Sequence, residues 1–459
     1  MTDFMAVILA AGEGKRMKTK HSKVTHKILG KALIEWVYDA AKAAGIDKNI
    51  IVIGHKAEEV KACMGNKADY AVQEQQLGTG HAVMQALPLI ESKKGNTIIM
   101  CGDMPLINSK TIKEAVENHL KAKSAGTIIT ADFDNPTGYG RIVKDKSGKV
   151  IKIIEEKDAS PDERAIKEIN SGLYCFDTAL LIDAVGKIKN DNKQKEYYLT
   201  DVIEILIKDG KKVDTYKIAN NFEIMGINDR SQLSQAECIM RKEVLENYMK
   251  SGVTIMSPDT ITIQPQAQIG IDTVIYPGTI IEGDTKIGEG CIIGPNSRLV
   301  DSVVEDGAEV QYSVILSSSI GKESHIGPFA YLRPGSKIGA GVKIGDFVEI
   351  KNSVIGDKSK VSHLSYIGDC DVGQNVNVGC GTVVVNYDGV KKHRSVIEDN
   401  AFIGCNTNLV SPVKVGKNAY TAAGSTITDE VPEDSLAIAR SRQENKEGWV
   451  KRRIEKKNG

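Results

Sequence analysis

The sequence predicts an α/β domain with a mostly parallel sheet, one long helix, and then a parallel β-helix of hexapeptide repeats. Three observations carry that reading. Over the first half, short aliphatic runs alternate with helical stretches, the pattern of βαβ units covered on both faces. Residues 229–249 then place Leu233, Ala236, Met240, Val244, Leu245 and Tyr248 at helical spacing. Beyond them, aliphatic-glycine pairs recur mostly at six residues or multiples of six, over about 150 residues, which is the signature of a hexapeptide solenoid.

Taken in order, residues 4–10 form a buried strand that runs into a glycine-rich turn. Residues 33–44 form a helix ended by Gly45, and 49–53 a second strand. Residues 79–87 form a helix stopped by Pro88, and 97–101 another strand. Such sheets bind ligands beyond the carboxyl ends of their strands. These elements place one domain at residues 1–228 and the helical linker at 229–250. Asn228 or Asp229 can cap the linker, and Gly252 lies past its end. The β-helix covers 251–440 and a basic tail 441–459. Pairs such as Ile269-Gly270, Ile287-Gly288, Ile320-Gly321, Ile338-Gly339 and Ile403-Gly404 each mark one short face. The aliphatic residue points inward, a small residue serves the corner, and three hexads close a triangular coil. The pattern breaks at 385–394, VNYDGVKKHR, which must bulge out as a loop. Flat solenoid walls pack against copies of themselves, so a homotrimer is expected.

Composition narrows the function classes. The 459 residues carry 60 Lys+Arg and 60 Asp+Glu, so bulk attraction to nucleic acid or an anionic membrane is not expected. The start does not read as a signal peptide, and no apolar run approaches the roughly 18 residues of a membrane span. The 8 cysteines form no CxxC pair, which points to free thiols in a reduced cytoplasm and away from a zinc site.

Several residues carry chemistry on physical grounds. In Leu9-Ala10-Ala11-Gly12-Glu13-Gly14-Lys15-Arg16-Met17 small residues let the backbone approach a triphosphate. Arg16 and Lys23 add positive charge where pyrophosphate would leave; an ordinary glycine turn with surface cations is the alternative. Asp103 ends a strand beside Gly102, where a carboxylate can hold Mg²⁺ against phosphates or merely form a turn. Arg333 and Lys351 are 18 residues apart, one coil, and can face one anionic phosphate together. His363 is a lone solenoid histidine, a residue whose ordinary role is structural.

The segments LAAGEGKRM, KVTHKI, QLGTGHA, GDMPLI, GYGRI and INSGLY resemble, in order over residues 5–228, the sugar-nucleotidyltransferases. With the hexapeptide half included, the whole chain resembles the bifunctional N-acetylglucosamine-1-phosphate uridylyltransferase/glucosamine-1-phosphate acetyltransferase family. The resemblance implies a Rossmann-like nucleotidyltransferase domain, a left-handed β-helix, Mg²⁺, and UTP and acetyl-CoA as co-substrates. It implies synthesis of UDP-N-acetylglucosamine, a cell-envelope precursor, and only small-molecule partners besides further copies of the chain.

The resemblance also assigns residues. Leu9, Ala10, Ala11, Gly12, Lys23, Cys101 and Gly102 would contact the nucleotide, and Gln73, Gln76, Gly78 and Thr79 would read uracil. Gly140, Glu155 and Asn170 would contact the sugar, with Glu155 chosen over Glu156 by alignment alone. Arg16 and Lys23 would be catalytic, and Asp103 with Asn228 would hold the metal, although Asn228 also suits a helix cap. His363 would be the base of acetyl transfer, with Arg333, Lys351, Tyr366 and Asn377 on glucosamine 1-phosphate. Cys380, Asn386, Tyr387, Lys392, Cys405, Ala423 and Arg440 would contact acetyl-CoA. The chain departs from the family pattern at Ser22, Thr25, Cys101, Cys380 and Cys405. The basic tail is either solvated or a clamp for a CoA phosphate. An enzyme with one activity, a non-catalytic assembly protein and a metal-dependent hydrase are the competing readings. The first two are opposed by His363 with Tyr366 and the basic loop, and by Gly12, Arg16, Lys23, Asp103 and Asn228. The third lacks a close trio among His325, His363 and His393.

Overall fold

The computed structural model describes residues 4–90 and 94–458. The chain divides into two compact units, residues 1–240 and 241–459. The helix Arg230–Lys250 spans the dividing point.

In the first unit the strand Phe4–Ala10 lies between parallel neighbours Lys48–Ile53 and Asn96–Cys101. Asp69–Val72 extends the sheet in parallel beyond Lys48–Ile53. Almost every residue of the first strand is buried, so its sequence is a continuous aliphatic run rather than an alternation. The helix Leu33–Ala43 buries Leu33, Ile34, Val37 and Ala41, the spacing of one helical face. Gly45, just past its end, takes φ +85°. The expected helix at 79–87 ends at Ala86, and Pro88 sits in a following 3-10 turn, Leu87–Leu89.

Three strands depart from a parallel arrangement. Glu168–Asp177 runs antiparallel between Asn96–Cys101 and Gly126–Asp132. The segment before it contains the hairpin Gly140–Lys144/Val150–Ile154, which pairs onto the same strand. A hairpin returns the chain antiparallel, whereas a parallel neighbour needs a long crossover. Val213–Lys217 completes the sheet in parallel beside Gly126–Asp132.

The second unit stacks its coils into three parallel sheets of 11, 10 and 9 strands. On one wall Ile281, Leu299, Ile315, Leu332, Ile350 and Ile367 are successive register partners, all fully buried. The glycine after the aliphatic residue is a packing requirement. A Cβ on Gly270 would lie 2.6 Å from the Gly288 carbonyl carbon, and one on Gly321 2.5 Å from that of Gly339. Buried serines tie coil to coil: Ser353 Oγ donates to the Lys351 carbonyl at 2.8 Å and accepts from the Cys370 N–H at 3.0 Å. Coil length varies, because only the paired positions are constrained. Register partners are 18 residues apart at Val274/Ile292, 17 at Ile292/Glu309 and 16 at Glu309/His325. The bulge at 385–394 is a closed hairpin-like loop. Tyr387 and Lys392 form an antiparallel bridge, and His393 N–H donates to the Asn386 carbonyl at 2.8 Å.

Two candidate active sites

The first unit holds a cleft of about 310 Å³ at the carboxyl ends of the strands Phe4–Ala10 and Asn96–Cys101. Leu9, Ala10, Ala11, Gly12, Lys23, Gln73, Gln76, Gly78, Thr79, Cys101 and Asp103 line it. Gly102 lies behind the lining, its N–H donating to the Leu9 carbonyl at 2.9 Å. A Cβ there would press on Ile34 Cδ1 at 2.8 Å. Arg16 stands exposed on the adjoining turn Lys15–Met17 and is outside the lining.

Lys23 crosses the cleft. Its Nζ pairs with Asp103 Oδ2 and donates to Asn228 Oδ1 at 3.2 Å. Gly14, at φ +63°, leaves the room this requires, since a Cβ there would sit 2.7 Å from Lys23 Cβ. The two roles open for Asn228 are thereby separated. Asp229 caps the helix, accepting from the Gln232 N–H at 2.9 Å, and the Asn228 amide oxygen faces the lysine. Asp103 and Asn228 thus present one carboxylate and one amide oxygen to a single cation, here the Lys23 ammonium. Two hard oxygen donors around a cation fit Mg²⁺, which fills its remaining positions with phosphate oxygens and water. Burial pushes the neighbouring Cys101 thiol up to about 12.

The Gln73 side of the cleft is internally braced. Gln73 is buried and donates to the Gly78 carbonyl at 3.1 Å, with His81 Nδ1 3.0 Å away. Gln76 and Thr79 are exposed. Three features here carried no sequence signal. Gly54 backs the pocket, since a Cβ would meet Gln73 O, Ala11 Cβ and Gln76 Nε2 within 2.9 Å. The Tyr197 carbonyl accepts from Gly80 N–H at 2.8 Å, anchoring the first turn of the helix Thr79–Ala86. Glu196 lines the cleft beside it.

On the sugar side, Gly140 and Asn170 are register partners. Asn170 Nδ2 donates to the Tyr174 hydroxyl at 2.7 Å. Adjacent Glu155 and Glu156 differ in environment. Glu156 is 2.7 Å from the guanidinium of fully buried Arg141, a structural pair. Among the described residues the Glu155 side chain accepts one long 3.5 Å bond, from Thr200 Oγ1, and burial raises its carboxyl above the ordinary range.

In the second unit the register builds a column along one coil corner. Asp346 and His363 are partners, and the same 17-residue offset (Val361/Val378) aligns His363 with Cys380. Cys380 precedes Cys405 by one coil: its carbonyl accepts from the Asn406 N–H at 2.7 Å. Cys405 stands likewise below Ala423, accepting from the Gly424 N–H at 2.8 Å. Asp346, His363, Cys380, Cys405 and Ala423 therefore follow one edge, roughly 4.8 Å per coil. Arg440 lies beside the top of the column, its Cδ 3.8 Å from a Cβ built on Gly424.

His363 is exposed, and its Nδ1 lies 2.6 Å from Asp346 Oδ1. That bond holds the Asp346 carboxyl below the usual aspartate range, so it is ionised at neutral pH. An anionic acceptor on Nδ1 selects the tautomer that leaves Nε2 free to take a proton. Asp346 lay outside the candidate residues, because its partnership arises from coil register.

A cationic cluster lies on the neighbouring wall. Arg333 follows Leu332 as Lys351 follows its partner Ile350, so the two stack as the 18-residue spacing requires. Lys392, from the inserted loop, joins them, and the Lys351 and Arg333 charges push its ammonium below the ordinary lysine range. Asp369, also missed from sequence, orders the group. It accepts from Lys351 at 3.2 Å, Asn352 at 2.6 Å and Asn386 at 2.5 Å. Tyr366 follows Glu349 on this wall, and its hydroxyl is 3.4 Å from Asn386 Nδ2. Tyr387 is exposed on the loop. Asn377 belongs to a different wall, paired with Lys360 and Phe402. His325 and His393 each bond a separate carboxylate, Glu309 at 3.0 Å and Asp388 at 2.6 Å.

Comparison with known proteins covers both units. The nucleotidyl transferase family matches residues 5–222. The bacterial transferase hexapeptide family (six repeats) matches 266–300, 317–352 and 394–429, making the three parallel sheets the walls of a left-handed β-helix. A protein of Acetivibrio thermocellus named bifunctional protein GlmU is 60% identical over 98% of both chains. Proteins of that name from Caldanaerobacter subterraneus subsp. tengcongensis and a Geobacillus species are 56% and 54% identical, each over 99% of both chains.

Proposed function

The chain belongs to the family of bifunctional GlmU proteins, and from that premise we propose a residue-level account of its two reactions. The protein acetylates glucosamine 1-phosphate with acetyl-CoA, then joins N-acetylglucosamine 1-phosphate to the uridylyl group of UTP, releasing pyrophosphate. The observation that carries the account is the separation of two built sites, a braced nucleotide cleft and a histidine column beside a cation cluster.

In the cleft, a sugar 1-phosphate oxygen attacks the α-phosphorus of UTP, and the bond to the β-phosphate oxygen breaks. Asp103 and Asn228 would hold Mg²⁺, which neutralises phosphate charge when bound. Gln73, fixed by Gly78 and His81, sets the base. Glu155 and Asn170 position the sugar. Lys23 and, from the adjoining turn, Arg16 offset charge on departing pyrophosphate. Positioning and charge neutralisation suffice for such a transfer, so no protein nucleophile is required.

At the column, Arg333, Lys351 and Lys392 hold the phosphate of glucosamine 1-phosphate. His363 Nε2 takes a proton from the attacking amine, and Asp346 stabilises the charge the ring acquires. The nitrogen bonds to the thioester carbonyl carbon, and the CoA sulfur leaves. Cys380, Cys405, Ala423 and Arg440 line the edge along which acetyl-CoA would lie, with Asn386 and Tyr387 contributing from the loop.

None of the cysteines among the described residues forms a disulfide, which suits a cytoplasmic enzyme, and no helix among the described residues is long and apolar enough to cross a membrane. A homotrimer through the β-helix is supported by an exposed corner ladder of Tyr312, Phe329, Phe347 and Leu364. Neighbouring rings in it lie 5.6 and 5.4 Å apart. Asn377 stands on the wall that carries His363, one coil further on. Sedimentation equilibrium should give three times the 49.8 kDa chain mass; a monomer would remove the trimer from the account.

The function is tested with both substrate pairs. Glucosamine 1-phosphate and acetyl-CoA should yield free CoA thiol, and UTP with N-acetylglucosamine 1-phosphate should yield pyrophosphate in the presence of Mg²⁺. Pyrophosphate release without CoA release would favour an enzyme with a single activity.

A further inference from the structure

Lys23 occupies the place that the cleft otherwise offers a divalent cation. Its ammonium is bound at once by Asp103 Oδ2 and Asn228 Oδ1, the two oxygens assigned to the metal. Lys23 and Asp103 side chains are only 14% and 20% exposed, so the pair is partly withdrawn from solvent. Gly14 and the short turn Lys23–Thr25 place the lysine stem there. We propose that Lys23 is a placeholder cation: it neutralises Asp103 while the cleft is empty, and it must leave for a metal ion to bind.

This inference rests on the reading of Asp103 and Asn228 as metal ligands and adds a second role for Lys23. Two cations cannot share one carboxylate at contact distance without strong repulsion. Metal entry without nucleotide must therefore break the lysine pair and leave an ammonium without its counter-charge. UTP changes that balance, because its phosphates give the displaced ammonium a new anionic partner. The exchange makes metal binding depend on nucleotide binding, a positive coupling that is reciprocal. It also keeps an isolated carboxylate from being left unpaired in the empty cleft.

The experiment measures Mn²⁺ binding to the full-length protein, from the EPR signal of free Mn²⁺, with and without UTP. The proteins are wild type, Lys23→Met, Lys23→Arg and Asp103→Asn, each checked for folding by circular dichroism. Without UTP, Lys23→Met should bind Mn²⁺ roughly tenfold tighter than wild type, the scale expected for releasing a part-buried ion pair. UTP should improve wild-type Mn²⁺ affinity more than that of Lys23→Met. Lys23→Arg, which keeps a cation, should resemble wild type. Equal or weaker Mn²⁺ binding by Lys23→Met, with Asp103→Asn still impaired, would overturn the placeholder and spare the metal assignment. Undiminished Mn²⁺ binding by Asp103→Asn in the presence of UTP would overturn both.

Discussion

Replacing His363 by alanine should lower acetyl transfer by roughly 10²–10⁴-fold, the usual contribution of a positioned base, and leave pyrophosphate release from UTP unchanged. The imidazole is exposed on the coil corner and packs into no core, so its removal opens no cavity. The loss should fall on kcat, because Arg333, Lys351 and Lys392 still grip the phosphate. Asp346→Ala should give a smaller loss of the same kind, since Nε2 remains but its tautomer and charge are no longer set. Asp346 is held ionised by its bond to His363, so its contribution is present at neutral pH and fades only as acid protonates the carboxyl below the ordinary aspartate range. Steady-state rates of CoA release and of pyrophosphate release on the same preparations check both expectations.

Asp103→Ala should do the reverse. Uridylyl transfer should fall roughly 10³-fold, the scale of losing a preorganised charge contact to the reacting phosphates, while acetyl transfer persists. Asp103 sits at the end of Asn96–Cys101 with its carbonyl bonded to the Ile227 N–H at 2.9 Å. That backbone contact survives the substitution, so the segment bearing Asn228 stays in place. Extra Mg²⁺ should recover part of the rate if Asn228 still supplies a ligand. Initial rates across a Mg²⁺ series check this.

Much of this was legible in the sequence, where chemistry follows local pattern. Asp103 was identifiable because a strand's carboxyl end beside glycine is where α/β sheets bind ligands. Arg333 and Lys351 were identifiable because their 18-residue separation equals three hexads, the coil length kept at this pair of strands. What escaped depends on register or on a neighbour's identity. Asp346 and Asp369 look like ordinary surface aspartates until coil stacking brings His363 and Lys351 against them. Glu155 and Glu156 are alike in sequence and separate only because Arg141 is buried against one of them. Asn228 and Asp229 could each cap a helix, and the Gln232 N–H decides for Asp229. Gly54 gives no motif, because its constraint comes from Ala11, Gln73 and Gln76, remote in the chain.

The central claim is that two separate sites, one in each compact unit, perform two reactions. Both activities assayed side by side on folded His363→Ala and Asp103→Ala proteins test it most directly. Reciprocal losses, each protein deficient in one reaction and competent in the other, are the predicted result. A single substitution that abolished both reactions while the protein remained folded would contradict it.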